Sequence, residues 1–269
     1  MNSRIYFVFC FYNRLSCQAA NHEIPAQQQA VNVVRHLMRH ILTFILTFYF
    51  GVSYGQNFSY PSIKAKGQRV IEFVPKGWTI LDRAYGDLNK DGIKDAAIVI
   101  QHRDSISLVN SLEDTVWTQP RILLLLFKNA ANNKYTLIEQ SNSFILKHDN
   151  SIMDDPYQGI AIDKGILKLD FHLFYNMGSW YSTSSTYKFR FDGKAFVLIG
   201  ADLSTIHRAT LDYEDYSYNF LTKKRSYIKG NDQSGIKKST LKTFALTSLR
   251  TFKTFMEPYS WEIETDINL

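Results

Sequence analysis

Residues 86–100 read GDLNKDGIKDAAIVI, an acidic and amide-rich run that passes directly into an apolar one. Asp87, Asn89, Asp91 and Asp95 stand at relative positions one, three, five and nine, with Gly92 at six. Calcium takes about six to eight oxygens at about 2.3–2.6 Å, which a tight loop supplies from alternate side chains and one backbone carbonyl. That carbonyl falls to Ile93. Gly92 suits the sharp turn, where a side chain would be penalised. A helix-loop-helix calcium site places a bidentate Glu at position twelve, and Ile98 occupies that position here. The residues that follow, Ala96 to Ile100, form a short apolar run with β-branched members and read as a buried strand. The stretch therefore points to a sheet protein with an ion loop between strands. A solvated turn of Asx residues that needs no metal is the competing reading.

Strand, acidic loop and strand in this order resemble the FG-GAP or VCBS-type calcium loop of integrin-like propeller blades and many secreted bacterial proteins, with the match carried by residues 86–100. The resemblance implies that Asp87, Asn89, Asp91 and Asp95 give side-chain oxygens, and Ile93 a carbonyl, to Ca2+. It implies no shared function. Propellers repeat a four-stranded blade, and the acidic loop occurs once in this chain. A propeller with an ion in every blade is thereby excluded, whereas a β-domain carrying one such loop is not.

Upstream, Arg69–Val74 and Trp78–Tyr85 flank Pro75-Lys76-Gly77 and read as strands leading into the loop. Further back lies MRHILTFILTFYFGVSYGQ from Met38: a basic start, an apolar run from Ile41 to Val52, and Ser53 and Gly55 as small residues ahead of Gln56. This is the pattern of a secretory signal peptide over residues 38–55, with cleavage before Gln56. The apolar run is too short to span a bilayer in the mature chain. Residues 1–37 show no sustained period and read as a disordered, over-extended N-terminus that begins ahead of a true start at Met38. Both cysteines, Cys10 and Cys17, lie in it, so residues 56–269 hold none, and stability after export must come from core burial and the ion rather than disulfides. Setting aside Arg4, Arg14, Arg35, Arg39 and Glu23 lowers the formal net charge from +6 to +3. Such a mild balance gives no support for nucleic-acid binding, which needs clustered charge.

Downstream, a polar connection over 101–120 reads as a surface loop, and RILLLLF (121–127) as a central strand buried on both faces. Ile160–Ile162 turns at Asp163-Lys164-Gly165 into a strand with Leu167, Leu169, Phe171 and Leu173 on one face. Tyr187, Phe189 and Phe191 alternate with Thr186, Lys188 and Arg190 ahead of Asp192-Gly193, a strong hairpin signal. Leu203–Leu211 could form at most a short helix. Residues 216–256 read as two or three further strands, whose spread lysines block edge-to-edge pairing. The fold class expected is all-β: a single compact antiparallel domain over 56–269, sandwich- or propeller-blade-like, preceded by a signal peptide.

Residues 56–269 hold no G-x-S-x-G, H-E-x-x-H or P-loop motif. The histidines after residue 55, His102, His148, His172 and His207, are scattered without zinc-ligand spacing. Asp170 and His172 share a strand face, and Asp149, Asp154 and Asp155 cluster before Pro156; solvated polar surface and turn chemistry explain both groups. Tyr175, Trp180 and Tyr181, around Asn176-Met177-Gly178-Ser179, form the better candidate ligand surface, since aromatic faces in a Gly/Ser loop can stack on sugar rings. The function expected is a secreted or periplasmic, non-catalytic calcium-binding β-domain that binds an envelope protein or glycan. The alternatives are a carbohydrate-binding module using Trp180 and Tyr181, and a hydrolase built from Asp154, Asp170 and His172.

Overall fold

The computed structural model describes residues 58–109 and 115–269; the expected signal peptide and the first 37 residues lie outside them. Phe58–Leu269 form one structural unit. In chain order come β1 (Lys66–Gly67), a 3-10 turn η1 (Val70–Phe73), β2 (Trp78–Gly86), β3 (Asp95–His102), β4 (Ile106–Val109), β5 (Thr115–Thr118), β6 (Arg121–Lys128) and β7 (Tyr135–Ser141). Five of these strands make a smaller sheet in the order β1-β7-β6-β3-β2, every pairing antiparallel. The larger sheet is a meander of seven: β8 (Tyr157–Asp163), β9 (Ile166–Phe174), β10 (Tyr181–Phe191), β11 (Phe196–His207), β12 (Asp212–Asn219), β13 (Lys224–Asn231) and β14 (Lys237–Thr243). The short pair β15 (Glu262–Glu264) and β16 (Ile267–Asn268) follows. The class is all-β and antiparallel, and two sheets sharing one core give it the form of a sandwich.

Period-two alternation decides which side chains meet. On β3 and β6, Ala97, Val99, Leu123 and Leu125 face the larger sheet, where Leu167, Leu169, Phe171, Tyr187 and Phe189 receive them. The intervening Ala96, Ile98, Ile100, Ile122, Leu124 and Leu126 face the other way and are covered by Phe73, Trp78, Phe58 and Tyr60. The smaller sheet is therefore buried on both faces, which is why residues 121–127 carry no alternation. Phe144, just past β7, sits between the sheets with edge-to-face contacts to Phe171, Tyr187, Phe189, Phe252 and Phe255.

Three local readings are corrected. Residues 69–74 form η1 rather than a strand, because Glu72 accepts from the backbone of Arg69 and closes a capping box, while i,i+3 spacing turns Val70 and Phe73 to the same side. The 101–120 connection is not structureless; it contains the β4–β5 hairpin, with Trp117 69% exposed. Leu203–His207 continues β11 and no helix forms there. In the lysine-rich segment, Lys237, Lys238 and Lys242 are exposed on β14, the last strand of the sheet.

At one side the two sheets touch through their border strands. An irregularity between Ile80 and Asp82 in β2 re-aims Asp82 at β8, where its Oδ2 accepts from the Tyr157 hydroxyl (3.0 Å) and the Ile160 amide (3.3 Å). Ile162 lies against Gly86, close enough that an added Cβ would stand 2.4 Å from its Cγ2.

Candidate functional sites

The acidic loop joins β2 to β3. The Asp87 carboxylate accepts from the amides of Lys90, Asp91 and Gly92 (2.6–3.1 Å), and the turn passes through positive φ at Lys90 and Gly92. Asn89 Oδ1 accepts from the Asp91 amide (3.0 Å), Asn89 Nδ2 donates to Asp91 Oδ2 (3.0 Å), and Asp91 Oδ1 accepts from the Ile93 amide (2.8 Å). Asp95, first residue of β3, is fully buried; its two oxygens accept from the amides of Leu88 and Lys128, both at 2.9 Å. Burial pushes its carboxyl above the ordinary Asp range, the two amides pull it back, and the charge of Asp91 pushes it up again.

The loop sets three carboxylates against two lysines, Lys90 and Lys94, and neither lysine pairs with them. None of Asp87, Asp91 and Asp95 has a Lys or Arg within 4.0 Å among the described residues. Each carboxylate oxygen has two lone pairs, so the amide bonds to Asp91 and Asp95 leave acceptor capacity on both. The donor set is all oxygen, as a hard cation requires. Among the described residues no three His, Cys, Asp or Glu side chains are already gathered as a metal cluster. The residues that could hold Ca2+ are the expected ones, Asp87, Asn89, Asp91, Asp95 and the carbonyl of Ile93; bound there, the ion would supply positive charge to a buried carboxylate.

The aromatic surface divides. Trp180 (65% exposed) stacks on His207 at a centroid distance of 6.3 Å, and Tyr181 (55% exposed) meets the same ring edge-on at 5.0 Å. Tyr175 is half-buried and lines a separate 230 Å³ hollow with Met153 and Tyr259. Beside His207 the inner face of β9–β13 runs beyond the smaller sheet and forms an open trough of about 820 Å³, bordered by Tyr259 and residues 266–268. Tyr181, Thr183, Thr205, His207, Glu214 and Lys229 line it. Glu214 accepts from Lys229 (2.8 Å) and the Tyr216 hydroxyl (3.1 Å). The Lys229 bond holds the Glu214 carboxyl below its ordinary range, and Glu214 raises Lys229 in turn.

The acids and histidines weighed for catalysis take separate partners. Asp170 accepts from the Thr186 hydroxyl (2.6 Å), His172 Nε2 bonds Ser182 Oγ (2.7 Å), and Asp154 accepts from Asn176 (3.1 Å). Asp155 forms a two-pronged ion pair with Arg121 (2.8 and 2.5 Å), a guanidinium only 4% exposed. Sequence reading missed His207, Glu214 and Lys229. The signal available was the alternation Asp212, Glu214, Tyr216 along one face of β12; their partners come from other strands and lie outside any local window. No family model, curated protein or solved structure matches the chain.

Proposed function

We propose that residues 56–269 act as an exported, non-catalytic calcium-binding β-domain in an envelope or extracellular binding role, with Asp87, Asn89, Asp91, Asp95 and the Ile93 carbonyl as ligands. The observation that carries this reading is Asp95: a fully buried carboxylate, held by two amides and facing Asp91, with no Lys or Arg within 4.0 Å among the described residues. An isolated buried charge is costly, and a divalent cation shared with Asp87 and Asp91 would offset that cost. The FG-GAP or VCBS resemblance of residues 86–100 supports the same ligand set, and the leader at 38–55 supports export. No helix of the described residues is long and apolar enough to cross a membrane.

The test is a melting curve of residues 56–269 in calcium and then in EDTA. Extracellular modules bind calcium at about 10⁻⁴–10⁻³ M, and saturation at 100 times Kd stabilises by about 2.7 kcal/mol. A midpoint indifferent to EDTA would end the reading. Export is checked separately: N-terminal sequencing of the mature protein should begin at Gln56.

A second reading, a carbohydrate-binding module using Trp180 and Tyr181, is favoured by their exposure and shared contact with His207. Trp180→Ala should abolish glycan binding under it.

A further inference from the structure

We infer that the trough on the inner face of β9–β13 is a binding site for a neutral oligosaccharide, with Tyr181 and His207 at its mouth and the Glu214–Lys229 pair on its wall. The inference rests on the carbohydrate reading of Trp180 and Tyr181 and extends it to a site, a residue set and a ligand class.

The composition of the inner face changes along three strands, β10, β11 and β12, while β9 stays apolar through Leu173. Toward the core it is apolar: Phe171 on β9, Tyr187 on β10, Ala201 on β11 and Tyr218 on β12, all buried. Beyond the smaller sheet, the same face of β10 presents Thr183 and Tyr181, β11 presents Thr205 and His207, and β12 presents Glu214 and Asp212. A merely solvated stretch of sheet would be flat. Here Tyr259 and residues 266–268 wall one side and leave about 820 Å³ of concave space, within the range of roughly 300–1,000 Å³ typical of small-ligand sites.

The polar groups suit hydroxyls. His207 Nδ1 accepts from the Thr210 amide (3.1 Å), so in the neutral ring Nε2 carries the proton and serves as a donor. Glu214 and Lys229 are both ionised and offer an acceptor beside a donor; Lys229 has two further protons after its bond to Glu214. A sugar hydroxyl both gives and takes a hydrogen bond and can bridge such a pair. Thr183 and Thr205 add hydroxyls already bonded to each other at 3.1 Å. At the mouth, Trp180 and Tyr181 flank His207 and supply apolar faces for a sugar ring.

Charge selects within the glycans. Asp212, Glu214 and Asp266 line the trough against the single lysine Lys229, so acids outnumber bases on its wall. Uronate or phosphorylated glycans would meet uncompensated repulsion, whereas neutral chains would not.

The experiment titrates the full purified chain with neutral tetrasaccharides of glucose, mannose, xylose and N-acetylglucosamine, with oligogalacturonate and chitosan tetrasaccharide as charged comparators, in a calorimeter and by Trp fluorescence. At least one neutral tetrasaccharide should bind. His207→Ala and Glu214→Gln should each weaken it about tenfold or more, Thr205→Trp should abolish binding by filling the trough, and Trp117→Ala, on the remote β4–β5 hairpin, should change nothing. Melting midpoints report whether each variant folds, and Thr205→Trp stands in where another does not. Binding of none of the neutral probes, or of a charged comparator alone, overturns the inference. So does binding lost in Trp180→Ala but untouched by His207→Ala, Glu214→Gln and Thr205→Trp; in that case the carbohydrate reading survives and the trough does not.

Discussion

Gly86 is held by its neighbour rather than by its backbone. A methyl group there would stand 2.4 Å from Ile162 Cγ2, a separation that forces β2 and β8 apart. Gly86→Ala should therefore destabilise the domain by about 1–3 kcal/mol in denaturant unfolding, the range for overpacking. Adding Ile162→Ala should restore part of the loss, giving a non-zero coupling in the double-mutant cycle. Asp155 makes the complementary electrostatic point. Burial acts to raise its carboxyl, but the hydrogen bonds and charge of Arg121 prevail and hold it below the ordinary Asp range. A depressed folded value means that its contribution is present above the unfolded value, near pH 3.9, and is lost as pH falls through the folded one. Asp155→Asn should cost about 1–2 kcal/mol at pH 7, the lower part of the range for bonds to charged groups because Asp155 is half-exposed. The variant should also lose less stability than the parent between neutral pH and pH 3. Equal acid slopes would show that the pair is not the cause.

At the scale of elements, the β2–β3 loop is the feature most exposed to direct test. Asp95 bonds both the loop (Leu88) and the end of β6 (Lys128), so ion binding would fasten a turn to a central strand. Saturating calcium should raise the melting midpoint by about 5–10 °C relative to EDTA. Asp91→Ala should erase that difference while leaving the EDTA midpoint within a degree or two, about the effect of an exposed substitution. Phe144 gives a second test: with five aromatic neighbours and no exposure, its replacement by Ala should cost about 3–5 kcal/mol. The loop was legible from sequence because its side chains belong to one short window. Phe144 was not, since its partners come from residues 171–255 and no local pattern marks it. Val70–Phe73 was misread because its apolar residues suit a strand equally well, and the Arg69–Glu72 cap that decided for a 3-10 turn is a three-residue detail. The β4–β5 hairpin was hidden because each of its strands is only four residues long and set in a stretch rich in Ser, Asp and Gln.

For the molecule as a whole, period-two alternation and the Asp192-Gly193 turn carried the class and most of the larger sheet, because a meander pairs each strand with its sequence neighbour. The smaller sheet was harder to read: β3 pairs with β6 across an inserted hairpin, and β1 with β7 across all the other strands of that sheet. The trough was not legible at all, being assembled from alternate residues of adjacent strands and closed by residues 259–268.

The contact between β2 and β8 has a mechanical implication. The two strands belong to different sheets and share no ladder; Asp82, Tyr157 and Ile162 join them by side chains alone, apart from the Ile160 amide on Asp82. The sandwich thus has a line of parting along which it can gape without breaking a strand-to-strand amide bond, while β3 and β6 stay locked on both edges. Deuterium should enter the amides of β2 and β8 well before those of β3 and β6, and a partner seeking to pry the sheets apart would find its least resistance there.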